Sequence, residues 1–461
     1  MLIFFQTYKN LIFQISLSFF LTLLLVFLKV PIFFLLGIHT YIHPDNLPQQ
    51  NGVKAAIRRP STSDSASGQD KSSNDLKRRN KSKDKFEFDE NNAQIFRLRL
   101  DDNHLQSRLY FDVYWYSFIY SFVAISCLLL YKYLDVVDKD GILAKGSVFP
   151  LILGFGSLCK LLVSLARVSF EKSASKRSEK QLSVLIGVLG FFFGLMICSG
   201  VAHSVFDFDF GSIDGYGGVS IALLMGFLAG FLYMPAGKNA RSFWLGTDQL
   251  RSNLAMISCG WLGRMILYAN NLLLLFTALL WINPLTDILI NKSANDRTYS
   301  NSSNSIEDAQ KLVVNAGFTR TDFTKLRLCC LLLSGVVQIV AVRPNLQMYL
   351  NEALLCWYQR LHASKIPDLE FSRAKVFLHN HYLCLVVLQF FAPPSLVLLF
   401  LGLSQVDGIS FEKFQFFPTL LPFTAFTREM SLFLAWWVIF LWAVFTSTSL
   451  FLYRRGILYV S

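Results

Sequence analysis

The chain has 461 residues, 53% of them hydrophobic and 15% aromatic, with 44 Phe and a mean hydropathy of +0.43. Charged residues make up 16%, where soluble domains carry roughly 25%, and they are gathered into a few segments. That distribution argues against a soluble domain and for a polytopic membrane protein. The formal charge of +12 falls mainly between apolar runs, where the positive-inside rule explains it better than nucleic-acid binding.

In chain order, residues 1–36 hold a first apolar run broken by Lys29 and Pro31. With no small-x-small cleavage site after Leu28, it reads as a retained signal-anchor helix rather than a cleaved signal. Residues 37–109 turn polar and basic, with RRP, KRRN and KSKDK runs; they cannot bury a core and are expected to be a disordered loop. Eight further runs are suited to about 30 Å of hydrocarbon: 110–131, 147–167, 182–202, 219–234, 264–282, 325–342, 382–401 and 432–453. The fold class expected is therefore all-α, a transmembrane bundle of about nine spans, or eight if the first is cleaved. Spans two to seven fill residues 110–342, and spans eight and nine with a basic C-terminus fill 382–461.

Loop charges orient the bundle. Lys172, Lys176, Arg177 and Lys180 place their loop inside; the segment after the next span has three Asp and no Lys or Arg, as an outside loop should. Lys238, Arg241 and Arg251 put the following loop inside. The Ser- and Asn-rich loop at 283–324 then faces out, carrying glycosylation sequons at Asn291 and Asn301. Arg454 and Arg455 place the C-terminus in the cytoplasm, and the N-terminus is then outside. A third sequon, at Asn80, would be cytoplasmic and unused.

Residues 343–381 are expected to form a cytoplasmic amphipathic segment. Arg343 suits the membrane edge and Pro344 the first turn of a new helix. Leu346, Tyr349, Leu350, Ala353, Trp357 and Leu361 then recur at helical spacing, which reads as a helix laid along the inner leaflet and a docking surface.

Polar groups at membrane depth are the functional candidates. Lys160 lies about two turns from Arg167 on the same face; either Asp112 pairs with one of them, or Lys160 snorkels to the headgroups. Asn270, Asn271, Gln338 and Gln389 read as helix-to-helix hydrogen bonding, or else as a polar pathway. Gly226-x-x-x-Gly230 permits close helix packing. The eight cysteines include no C-x-x-C pair, and His203, His379 and His381 have no partners at metal spacing, so no metal and no cofactor are expected. There is no phosphate loop, H-E-x-x-H or G-x-S-x-G, and an enzyme is disfavoured.

Several stretches together resemble the transmembrane protein 161 family. They are Tyr41-Ile-His-Pro44, the Ser157-x-x-Lys160 and Arg167-x-x-Phe170 pattern, GFLAGFLYMPAGKNA at 226–240, AVRPNLQMYL at 341–350, the Leu388-Gln389 to Pro393 run, and Trp436–Trp437. Asp112, Arg343, Pro344 and Gln347 also match the family pattern, whereas the 45–108 and 291–324 segments depart from it. The resemblance implies a multi-pass membrane protein with no established catalysis, whose animal relatives are linked to cation-current modulation and tolerance of oxidative stress. Expected partners are the bilayer and a membrane channel or transporter, with no nucleic acid. The expected location is the secretory pathway, from endoplasmic reticulum to plasma membrane.

Overall fold

The computed structural model describes residues 9–43, 95–137, 148–171, 177–200, 205–208, 215–247, 260–289, 319–363, 369–406 and 425–458. The sequons at Asn80, Asn291 and Asn301 lie outside these residues. Eight described helices are long and apolar enough to cross a membrane: α4 (Phe111–Val137), α5 (Val148–Ser169), α6 (Arg177–Cys198), α7 (Gly215–Thr247), α8 (Trp261–Leu279), α10 (Arg320–Ala363), α12 (Leu383–Ser404) and α13 (Ala425–Arg454). A shorter apolar helix at the N-terminus, α1 (Lys9–Phe27), packs against α4 and α5. Short helices α2 (Val30–Leu35), α3 (Asp102–Gln106), α9 (Asn283–Leu289) and α11 (Glu370–His381) complete the all-α bundle.

The bundle is organised around α12. Every one of its 22 residues is buried, among α13, α10, α4, α5 and α7. A helix apolar on all sides must be enclosed by other helices or by lipid, and this one is enclosed by helices. Two buried tryptophans lock α13 to its neighbours. Trp436 Nε1 donates to the Ala278 carbonyl at 3.0 Å and Trp437 Nε1 to that of Met225 at 3.3 Å. The polar tip of each indole is thereby satisfied inside an apolar interior.

Gly226 and Gly230 lie in the α6–α7 contact. A Cβ on Gly226 would come within 2.8 Å of the Gly187 carbonyl, and one on Gly190 within 2.6 Å of Ala229 Cβ. Ser183 Oγ also donates to the Gly230 carbonyl at 2.6 Å. Lipid tails are as apolar as the helices, so close packing and such hydrogen bonds supply the attraction.

Three boundaries differ from the sequence-based expectation. Pro344 does not start a helix: α10 runs unbroken through it for 44 residues, about 66 Å and twice the hydrocarbon thickness. The α7 helix likewise continues through Pro235 to Thr247, so Lys238 and Arg241 stand on a helix, not in a loop. Each proline removes one backbone hydrogen bond, and burial of the continuing helix outweighs that loss. Leu346, Leu350, Ala353, Trp357 and Leu361 are all 4% exposed or less, so the extension of α10 is interior and not a surface docking helix. Finally, the 37–109 segment is ordered at both ends. His39–Ile42 (β1) pairs antiparallel with Phe96–Arg99 (β2), with Tyr41 opposite Arg97, and α3 follows.

Candidate functional site

The extensions of α7 and α10 past their prolines meet, and a charge cluster fills the junction. Glu352 on α10 has a side chain only 6% exposed. Its Oε1 lies 3.3 Å from Arg241 NH1 on α7 and 3.4 Å from Lys375 Nζ on α11. Arg241 Nε also donates to the Tyr453 hydroxyl on α13 at 3.1 Å, and Trp244 stacks on the Tyr453 ring. One helical turn before Arg241, Lys238 donates from Nζ to Gln389 Oε1 on α12 at 2.9 Å. Five helices are joined through these side chains.

His379 completes the cluster. Its ring stacks on Tyr349 with centroids 4.5 Å apart, and its Nδ1 meets the Lys375 carbonyl at 2.9 Å. Burial, against the opposing pull of Glu352, pushes the imidazole down to about 4, so it is neutral at pH 7 and adds no further cation. Arg241 and Lys375 thus flank one buried carboxylate, with Lys238 one turn away along α7 and bonded to Gln389. The chemistry of this set is structural and electrostatic: it carries no nucleophile paired with a base, and no group of three metal-ligating residues occurs among the described residues.

Beside the cluster, one face of α10 reads the backbone of the N-terminal segment. Arg343 donates to the Leu36 carbonyl at 2.7 Å. Gln347 accepts from the His39 amide at 2.9 Å and donates to the His39 carbonyl at 3.1 Å and to Asn351. Asn351 accepts from the Tyr41 hydroxyl at 2.9 Å, and Asn380 on α11 donates to the Tyr41 carbonyl. Residues 343, 347 and 351 are spaced by four and share one helix face, so they form a ladder along an extended strand. Gly37, at φ +80°, turns the chain into this ladder, in a conformation that suits glycine. Pro344 and Tyr349 lie within the same stretch of α10, with the Tyr349 ring against His379.

The remaining candidates are distributed. Lys160 Nζ sits over the rings of Tyr120 at 3.8 Å and Tyr116 at 5.1 Å. Arg167 lies over Tyr110 at 5.9 Å, and the Tyr110 hydroxyl donates to Glu171. Neither cation is ion-paired with Asp112 among the described residues: Asp112 is exposed at the start of α4. The expected Asp112 pairing is replaced by cation–π contacts, because the outward face of α4 presents tyrosine rings at the depth of Lys160. Asn270 and Gln338 are buried with Oδ1 and Oε1 lacking a hydrogen-bond partner, and Asn271 is half-buried. No hydrogen bond links Lys160, Asn270, Asn271, Gln338 and Gln389 to one another among the described residues.

Sequence reasoning missed Glu352. The signal was present, since Glu352 is the single acidic residue between Asp322 and Asp368 and sits within an apolar helical pattern. It also missed Arg327 at the opposite end of α10. Arg327 reaches Asp207 Oδ2 at 2.6 Å, the Leu280 carbonyl at 2.9 Å and Thr286 Oγ1 at 2.9 Å.

Residues 217–417 match the family model described as predicted transmembrane protein 161AB. The matched stretch includes Lys238, Arg241, Arg327, Arg343, Gln347, Glu352, Lys375 and Gln389, whereas Lys160 and Tyr453 lie outside it. No solved structure matches the chain.

Proposed function

The chain belongs to the transmembrane protein 161 family through residues 217–417, and from that premise we propose a non-enzymatic integral membrane protein that modulates or assembles with ion channels or transporters. One observation carries this reading. The charged groups inside the bundle, Glu352 with Arg241 and Lys375 and Arg327 with Asp207, bind segments of the chain to one another. Such groups hold a scaffold together. A conduction path needs polar side chains converging on water.

The alternative is a transporter or channel in its own right, with a pathway around Lys160, Asn270, Asn271, Gln338 and Gln389. The unpartnered buried Oδ1 of Asn270 and Oε1 of Gln338, on helices that pack together, favour it. Purified protein in liposomes separates the two. The assembly reading expects no K⁺, Na⁺ or Ca²⁺ flux above empty vesicles. Flux that disappears in Asn270→Leu or Gln338→Leu would establish the transporter reading instead.

The orientation proposed is N-terminus outside and C-terminus cytoplasmic, within the secretory pathway. Asn291 and Asn301 are then glycosylated and Asn80 is not. Glycosidase treatment is expected to shift the wild-type gel band, and the Asn291→Gln/Asn301→Gln double variant is expected to show no shift. A glycan at Asn80 would invert the topology.

A further inference from the structure

We propose that the outward face of α4 and α5 around Lys160 is a docking site for a transmembrane helix of another protein bearing a carboxylate at mid-membrane depth. This inference rests on the assembly reading above and names where that assembly occurs.

Lys160 stands near the middle of α5, nine residues or about 14 Å from its end at Ser169. Its contacts among the described residues are the two tyrosine ring faces. These attract a cation without neutralising it. The rings belong to the surface of the bundle, with Tyr116 53% and Tyr120 46% exposed. A snorkelling lysine would reach toward the nearer edge. Here the ammonium is closer to Tyr120, the ring lying deeper along α4, than to Tyr116.

The surface beside Lys160 admits a helix. Ile152 and Val163 on α5 are exposed, and one turn before Lys160 a Cβ on Gly156 would meet nothing within 4 Å. Small residues let helix backbones approach, and an apolar rim suits a lipid-embedded partner. Charge complementarity selects the occupant: an ammonium at this depth is costly until an anion meets it. Among the described residues, a second copy of the chain offers no such anion. The exposed carboxylates among the described residues, such as Asp112, lie at helix ends, and Glu352 is buried.

The test uses full-length protein in phosphatidylcholine vesicles with synthetic single-span polyleucine peptides carrying Glu, Gln or Leu at mid-span, their association read by energy transfer. The Glu peptide is expected to bind at least about tenfold more tightly than the Leu peptide. Lys160→Arg should keep that preference, and Lys160→Leu should abolish it while leaving the protein monodisperse. Equal binding of the Glu and Leu peptides, or a preference that survives Lys160→Leu, overturns the site. So does loss of the preference when phosphatidylserine replaces phosphatidylcholine, which would assign Lys160 to lipid headgroups. Cation currents in cells distinguish the two readings. A current shift that persists in Lys160→Leu, with no peptide preference, removes this site alone; no shift with the wild-type protein removes the assembly reading.

Discussion

Glu352→Gln is expected to cost about 3 kcal/mol of stability, the lower end of the range for removing one member of a buried ion pair. The substitution preserves shape and takes the shared carboxylate away from Arg241 and Lys375. Arg241 is 39% exposed, so water screens part of its loss; Lys375, at 16%, is screened less. The measurement is thermal unfolding of the detergent-solubilised or nanodisc-embedded protein, with monodispersity as a second readout. Adding Arg241→Gln to Glu352→Gln should recover part of the loss, since the guanidinium no longer faces an uncompensated junction. A Glu352→Gln protein that unfolds with the wild type would show that the cluster does not hold the α7 and α10 extensions together.

The expected magnitude follows from position as well as charge. Glu352 lies beyond Pro344, in the part of α10 that reaches past the apolar layer, and Arg241 lies beyond Pro235 in the matching part of α7. Both extensions have lost a backbone hydrogen bond at their proline. The cluster, together with the ladder of Arg343, Gln347 and Asn351, supplies the side-chain contacts that keep those extensions helical and seated on α11 and β1.

Hydropathy carried the spans in the sequence because each membrane helix must satisfy its backbone internally and face apolar surroundings. The same local reading fails at Pro235 and Pro344. Proline rules describe an isolated helix, and here tertiary contacts continue it. Arg343, Pro344 and Gln347 were recognisable as a motif, but their partner segment, Leu36 to Tyr41, lies about 310 residues earlier in the chain. Gln389 was visible as an intramembrane amide, while its partner Lys238 was assigned to a loop because the apolar run ends at Met234. Composition identifies which groups are expensive. It does not say which two meet.

Arg327→Met is expected to destabilise the opposite end of α10 by about 3 kcal/mol. The Arg327 side chain is 8% exposed, and its fork spends one donor each on the Leu280 carbonyl, Thr286 and Asp207. It also lies over the rings of Phe323 at 4.5 Å and Trp281 at 5.0 Å. Methionine fills comparable volume but withdraws a donor from Thr286 Oγ1, from the Asp207 carboxylate and from the Leu280 carbonyl, which keeps only the Thr286 hydroxyl at 3.2 Å. Asp207→Asn should cost less, because Asp207 is 33% exposed and asparagine keeps an acceptor. Lys in place of Arg327 should not restore wild-type stability, since an ammonium cannot match a planar fork aimed at three fixed acceptors. Unfolding of the three variants under one condition orders them, and a rescue by Lys would mean that charge alone, and not geometry, holds this end. About 38 Å of α10 separates Arg327 from Glu352, spanning the apolar layer, so the two losses should add in Arg327→Met/Glu352→Gln. Additive losses identify α10 as a strut anchored independently at both membrane faces; strong coupling between them would mean that the anchors act through one shared movement of the helix.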